Sequence, residues 1–171
     1  TFSTGAGGSV KVTAGSMLLD GGGQPGTDIG SSTSATAGSA GRIDVLVRGD
    51  LTILQCATID SFTASRRNAG SVTVEANNIL IDAQSDEDQR FTTGITVDAF
   101  SRMAAPGTVG DAGNITVIAH GDLTVRRGGL ISASAADGAG RSGSVKVDAG
   151  TVLVDGEFAA IRAVAYAGSS G

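Results

Sequence analysis

The sequence predicts an all-β protein: residues 1–171 form a single domain, a right-handed parallel β-helix with three sides and about five coils. Three observations carry this prediction. One motif recurs five times at intervals of about thirty residues, each copy holds three short apolar segments, and glycine or small polar residues separate these segments. No stretch has the apolar spacing of an amphipathic helix, and the 27 glycines disfavour helices.

The first segment of each copy begins at a glycine, so coils start near Gly8, Gly41, Gly70, Gly113 and Gly143. Two apolar β-branched residues follow at offsets two and four, which is the alternation of a strand with one buried face. We therefore expect ten side chains to point into one core, each stacked on its equivalent in the next coil. These are Val10, Val12, Ile43, Val45, Val72, Val74, Ile115, Val117, Val145 and Val147.

The second segment comes in two types that alternate along the chain. Copies one, three and five end it with aspartate, as in "AGSMLLD" (14–20), whereas copies two and four read "GDLTI" (49–53) and "GDLTV" (121–125). The sequence gives no physical reason for this alternation. We interpret its recurrent aspartates, Asp20, Asp50, Asp82, Asp122 and Asp155, as turn caps.

The third segment begins at an isoleucine in every copy, and this regularity favours a coiled parallel sheet over hairpins. A hairpin sandwich has no reason to repeat one residue type at one offset, whereas coils stacked about 4.8 Å apart place like side chains on like. Parallel connections of this kind are right-handed. The five residues are Ile29, Ile59, Ile95, Ile131 and Ile161.

Composition excludes one class of partner. The net charge is −5, with 12 basic and 17 acidic residues, which disfavours binding to nucleic acid. No apolar run is long enough to span a bilayer. The chain begins inside a repeat and shows no capping element at either end, so we expect it to be an excerpt of a longer protein.

Catalytic and metal chemistry have little support. His120 is the only histidine and Cys56 the only cysteine, so no metal-binding or nucleophilic cluster is expected. One acid pair is an exception. Asp60 and Asp98 should face outward on adjacent third strands, about 8 Å apart, which is within the range of an acid–base pair. A solvated ladder of polar side chains is the competing interpretation, and we predict that the protein is not an enzyme.

Copy three is the one interrupted repeat. It is extended on both sides of its third segment, at 84–93 and 102–111. Insertions in solenoids often form the binding face, although neutral lengthening at a tolerant corner is the alternative. Aromatic rings there would stack on sugars, and charged groups would bond hydroxyls. The candidate ligand-binding residues are Asp86, Glu87, Asp88, Arg90, Phe91, Asp98, Phe100 and Arg102, and calcium at Asp86, Glu87 and Asp88 is the one cofactor considered.

The repeat "GDAGNITVIAHGDLTVRRGGLISASAADGAG" (110–140) resembles the filamentous-haemagglutinin-like exoproteins of Gram-negative bacteria and cyanobacteria. The resemblance covers nearly the whole chain and implies a large, secreted or surface-tethered β-helical adhesin that leaves the cell through an outer-membrane transporter. The Asn-Pro-Asn motifs of that family's secretion domain are absent, so the chain resembles the repetitive shaft.

The sequence therefore predicts a structural shaft segment for adhesion or extracellular assembly. Its expected partners are a cell-surface glycan or protein receptor and further repeats of the same chain. Two alternatives remain open: a polysaccharide-cleaving β-helix enzyme, and a filament subunit that associates head to tail.

Overall fold

The computed structural model describes residues 5–33, 38–84, 91–100, 110–136 and 140–166. The described residues form thirteen β-strands and no helix. The strands are β1 (Val10–Ala14), β2 (Met17–Asp20), β3 (Asp28–Thr33), β4 (Arg42–Val47), β5 (Leu51–Leu54), β6 (Thr58–Thr63), β7 (Ser71–Ala76), β8 (Ile79–Asp82), β9 (Thr93–Ala99), β10 (Ile115–Arg126), β11 (Gly129–Ala135), β12 (Val145–Asp155) and β13 (Ala160–Ala165).

Every pairing between described strands is parallel and joins equivalent segments of successive repeats. First segments pair in the order β1–β4–β7–β10–β12, second segments in the order β2–β5–β8–β10–β12, and third segments in the order β3–β6–β9–β11–β13. The register follows the repeat, since Val10 lies opposite Ile43 and Ile43 opposite Val72. The prediction of an all-β chain with parallel strands in repeat register is confirmed.

The number of sheets differs from the prediction. Strands β10 and β12 run without a break from the first segment to the second, so these two ladders merge into one eight-stranded sheet, and the third segments form a separate five-stranded sheet. The larger sheet starts at β1 and returns to β2, both in the first repeat, which makes it nearly closed and barrel-like. A register shift between Ala119 and Asp122 carries β10 through its corner without a turn. The predicted division into three separate sides is therefore wrong.

The core is the set of inward columns that the repeat predicts. Ile43, Val45, Val72, Val74, Ile115 and Val117 are all buried. The equivalents in the first and fifth repeats are Val10, Val12, Val145 and Val147, which are half-buried and pack against the same core. They are less covered because their strands have a described neighbour on one side only. The expected direction of all ten side chains is confirmed.

The corner between the second and third segments uses left-handed backbone in every repeat. Each corner contains at least one residue with positive φ, among them Gly22 (58°), Gln55 (46°), Gln84 (59°), Arg127 (47°) and Gly156 (91°). Two of the predicted aspartate caps are confirmed. Asp20 accepts a hydrogen bond from the Gly22 amide at 2.9 Å, and Asp82 accepts one from the Gln84 amide at 2.8 Å.

The glycines that open the repeats form a column in which successive backbones touch. A Cβ atom built on any of the last four would lie far inside contact distance of the preceding glycine's carbonyl oxygen: Gly41 meets Gly8, Gly70 meets Gly41, Gly113 meets Gly70, and Gly143 meets Gly113. The obstruction is backbone, so no rotamer change relieves it. Steric constraints therefore require glycine at these four positions.

Two buried serines form hydrogen bonds to the backbone of this glycine column in the first three repeats. The Ser31 hydroxyl donates to the Gly8 carbonyl at 2.9 Å and accepts from the Gly41 amide at 3.0 Å. Ser61 repeats the arrangement one step later, donating to the Gly41 carbonyl at 3.0 Å and accepting from the Gly70 amide at 3.1 Å. Each hydroxyl thus satisfies polar groups of two neighbouring repeats inside the fold.

We predict that Gly70→Ala destabilises the protein by about 1–3 kcal/mol or more, because the new methyl group forces two backbones apart. Gly8→Ala is the matched control, since it belongs to the same column but nothing lies within 4 Å of its added Cβ. Urea unfolding followed by circular dichroism measures both changes. Equal midpoints for the two variants would contradict the close-packed column.

Candidate functional site

The outward face of the five-stranded sheet carries the acid pair that the sequence indicates. On β9, Ile95, Val97 and Ala99 are buried in the interior, so Thr96, Asp98 and Phe100 take the opposite face, as predicted. Asp60 lies opposite Thr96, so Asp98 stands one strand and two residues away from it. The predicted relation of the two residues, on adjacent third strands with an offset of two positions, is confirmed.

This face is less solvated than the sequence suggests. Thr96 and Ser132 are buried, and Asp98 is only partly exposed. Burial raises the pKa of Asp98 to about 6, and the negative charge of Asp60 acts in the same direction. Hydrogen bonds from the Thr96 hydroxyl and the Ser134 amide, and the charge of Arg162, oppose this rise. Asp98 is therefore less solvated than the interpretation as a solvated ladder implies.

Asp60 experiences the same competition in weaker form. Burial raises its pKa, and the negative charge of Asp28 adds to the rise. The Thr58 hydroxyl donates to the Asp60 carboxylate at 3.0 Å and opposes it. Burial thus raises the pKa of both carboxyl groups on this face.

Two phenylalanines lie beside Asp98. The rings of Phe62 and Phe100 stack with centroids 5.6 Å apart and planes inclined by 17°. Phe62 is directly opposite Asp98 on the neighbouring strand. The sequence analysis missed Phe62, although aligning the copies from their isoleucines places it in the same column as Asp98.

The remaining candidate residues do not all join this face. Asp86, Glu87, Asp88, Arg90 and Arg102 lie outside the described residues, as does the calcium site considered at the first three. Phe91 is described, and it lines a different feature, a surface cavity of about 420 Å³ that also includes Leu130, Phe158 and Arg162. Neither Asp98 nor Phe100 lines this cavity. The structure therefore brings together Asp98 and Phe100 from the predicted set.

A second charged cluster is structural. Asp82 is buried, and its carboxylate accepts hydrogen bonds from Arg126 Nε at 2.8 Å and Arg127 Nε at 2.9 Å. Burial alone would raise the pKa of Asp82, but the bonds from Arg127, the Gln84 amide and Arg126 outweigh it and lower the pKa. Because the two arginines and the capped turn belong to neighbouring repeats, this cluster ties two corners together.

The lone histidine and cysteine take unremarkable places. His120 is exposed, as predicted, with Nε2 2.9 Å from Glu75 Oε1. Cys56 is partly buried, and its amide donates to the Thr93 hydroxyl at 2.7 Å. Among the described residues, no three His, Cys, Asp or Glu side chains are grouped so as to hold a metal ion.

Comparison of the chain with protein families, with characterised proteins and with solved structures finds no significant match. In the described parts of the chain, no helix has the length and apolar character needed to cross a membrane.

We predict that Asp98 makes the folded protein less stable as pH rises. Its folded pKa of about 6 lies above the unfolded value of about 3.9, so the folded state binds the proton more tightly. The contribution of Asp98 to the free energy of unfolding is fully present below about pH 4. It is lost as the pH rises through about 6, and the loss is roughly 2–3 kcal/mol at most.

Asp98→Asn should remove this part of the pH dependence. Urea unfolding of the wild type and the variant, at pH values below 4 and above 6, measures the difference. Asp148→Asn, on the exposed side of β12, is the control for loss of a carboxylate. A wild-type pH profile parallel to that of Asp98→Asn would show that the carboxyl group is not desolvated.

Proposed function

We propose that this chain is a non-enzymatic shaft segment of a large adhesin-like exoprotein, folded as a right-handed parallel β-helix and presented outside the cell. The observation that carries the proposal is the repeat register, which runs from the first repeat to the fifth within each of the three segments. Val10, Ile43, Val72, Ile115 and Val145 occupy one column across all five repeats. A fold that grows by adding equivalent coils has a length set by the number of repeats, which is what a spacer requires.

The way the repeats are joined also suits a load-bearing role. Backbone hydrogen bonds run from each repeat to the next through both sheets, and side-chain links cross the same boundaries. Ser61, Asn78 and Asp82 each bond to groups of a neighbouring repeat. A pull along the stacking direction would load many such bonds together, so separation of two repeats requires breaking them at once.

Localisation and export follow from the family resemblance of the repeats. We propose a secreted or surface-tethered product that leaves through a partner outer-membrane transporter, with a glycan or protein receptor on another cell as its partner. A contact between this segment and such a receptor would form on the outward face around Asp98 and Phe100.

Antibodies raised against this chain test the proposed location. On intact source cells they should label the surface, and protease added outside should remove the signal. Permeabilised cells of the same culture are the control for total protein. Labelling that appears only after permeabilisation would contradict an extracellular shaft.

A polysaccharide-cleaving enzyme is the second candidate, and one observation favours it. Asp98, with a pKa of about 6, could donate a proton near neutral pH, as a general acid must. One strand spacing and an offset of two residues correspond to a backbone separation of about 8 Å between Asp60 and Asp98. This separation is compatible with the roughly 6.5–9.5 Å between the carboxyl groups of inverting glycosidases. The stacked Phe62 and Phe100 would supply an apolar wall for a sugar ring.

A reducing-end assay on acidic and neutral polysaccharides separates the two functions. The shaft proposal predicts no release of new reducing ends by the wild-type chain. Cleavage that disappears in both Asp60→Asn and Asp98→Asn, and persists in Asp148→Asn, would replace the shaft proposal with the enzymatic one.

A further inference from the structure

The acidic residues of the second segment alternate between repeats in two columns. At the end of this segment the column reads Asp20, Leu54, Asp82, Arg126, Asp155 from the first repeat to the fifth. An acid is thus always followed by an apolar or basic residue. The two corner types seen in the sequence produce this order.

The second column lies at the start of the segment and has the opposite phase. Asp50 and Asp122 belong to the second and fourth repeats, with Asn78 between them. The Asn78 amide donates to Asp50 Oδ1 at 2.8 Å, and its Oδ1 accepts from the Asp122 backbone amide at 2.9 Å. Asp122 lies opposite Thr151 on the other side. Neutral partners therefore separate the acids in this column as well.

Like charges directly opposite each other on paired strands are destabilising. None of the opposed pairs in the described ladders joins two charges of one sign, whereas three join opposite charges: Lys11 with Asp44, Asp82 with Arg126, and Arg126 with Asp155. The alternation of corner types, for which the sequence offers no reason, thus has an electrostatic one. It keeps carboxylates two repeats apart.

The same rule applies to the first and last described repeats, whose strands have a described neighbour on one side only. Strand β12 exposes Val152, Leu153 and Val154 by 44–50%, and β2 exposes Leu18 by 63%. If a second copy placed its first repeat on β12 in the repeat register, Met17 would meet Val152 and Leu18 would meet Leu153. The stacked apolar side chains of one molecule would then continue into the next molecule. However, Lys11 would meet Lys146, and Asp20 would meet Asp155.

We propose that the β12 edge selects its partner by charge: it accepts a coil of the Gly-Asp-Leu-Thr type, with a neutral or basic residue opposite Asp155, and rejects the chain's own first repeat. The apolar fit alone would permit head-to-tail association. The two like-charge pairs oppose it, and this opposition weakens when salt screens them. The inference depends on the observed register and not on the proposed shaft function.

A charge reversal at both ends tests this selection. Lys146→Glu with Asp20→Lys converts both like pairs into opposite pairs without changing net charge. Each substitution suits its internal neighbour, because Lys146 lies opposite Thr116 and Asp20 opposite Leu54. Sedimentation velocity at about 0.01 M salt, where the Debye length is about 30 Å, and at about 1 M, where it is about 3 Å, measures self-association.

At low salt the double variant should associate at least about tenfold more tightly than the wild type, a difference of about 1.4 kcal/mol. Each single variant, which repairs one pair, should fall between them, and all four proteins should converge at high salt. Equal association of wild type and double variant at low salt would overturn the proposal, as would a double variant that stays monomeric.

Asp20 also caps its turn, so circular dichroism must show that the double variant keeps its β signal. If it does not, Lys146→Gln with Asp155→Asn replaces it, which neutralises the same two pairs from the β12 side and leaves the Asp20 cap intact. This variant should associate more tightly than the wild type at low salt. No increase would again overturn the proposal.

Discussion

The approach of each repeat glycine to the one before it is the constraint on which the rest of the structure depends. Gly41, Gly70, Gly113 and Gly143 leave no room for a Cβ over the preceding carbonyl. With the backbones held this close, the residues at offsets two and four fall into continuous buried columns. A larger residue in the glycine column would separate the strands and open every column beside it, because neighbouring repeats share their hydrogen bonds.

A rigid parallel register also determines what the surface can do. Side chains at one offset in successive repeats are brought side by side, so a single substitution in one repeat is felt by the next. Asp98 illustrates this: Phe62 and Ser134 lie opposite it on the two neighbouring strands. Burial raises its pKa to about 6, the charge of Asp60 adds to the rise, and the hydrogen bond from the Ser134 amide opposes it. The larger sheet differs in this respect, because neutral or basic residues separate the carboxylates of successive repeats in its acidic columns.

The sequence was sufficient for the strands, their parallel pairing and their inward residues, because a repeat fixes all three at once. Ile43 and Val74 could be placed in the core from their offsets alone. It was insufficient for the merging of two ladders, since nothing in the local pattern shows that Ala119 to Asp122 bends without a turn. The partial burial of Asp98 was also beyond it, because the neighbours responsible, Phe62 and Ser134, are 36 residues away on either side. The alternation of corner types was visible, but its reason needed the register.

Double electron–electron resonance tests the central claim, the stacking of five repeats in register, most directly. Spin labels at Lys11 and Lys146, and in a second sample at Ser32 and Val164, lie in the first and fifth repeats and are separated by four repeat spacings. The two pairs report on different sheets, and both are made in a Cys56→Ser background. At about 4.8 Å per repeat, both pairs should give one narrow distribution centred near about 19 Å, broadened by the label linkers. Distances that differ strongly between the two pairs, or that are much longer than this in either, would contradict the account.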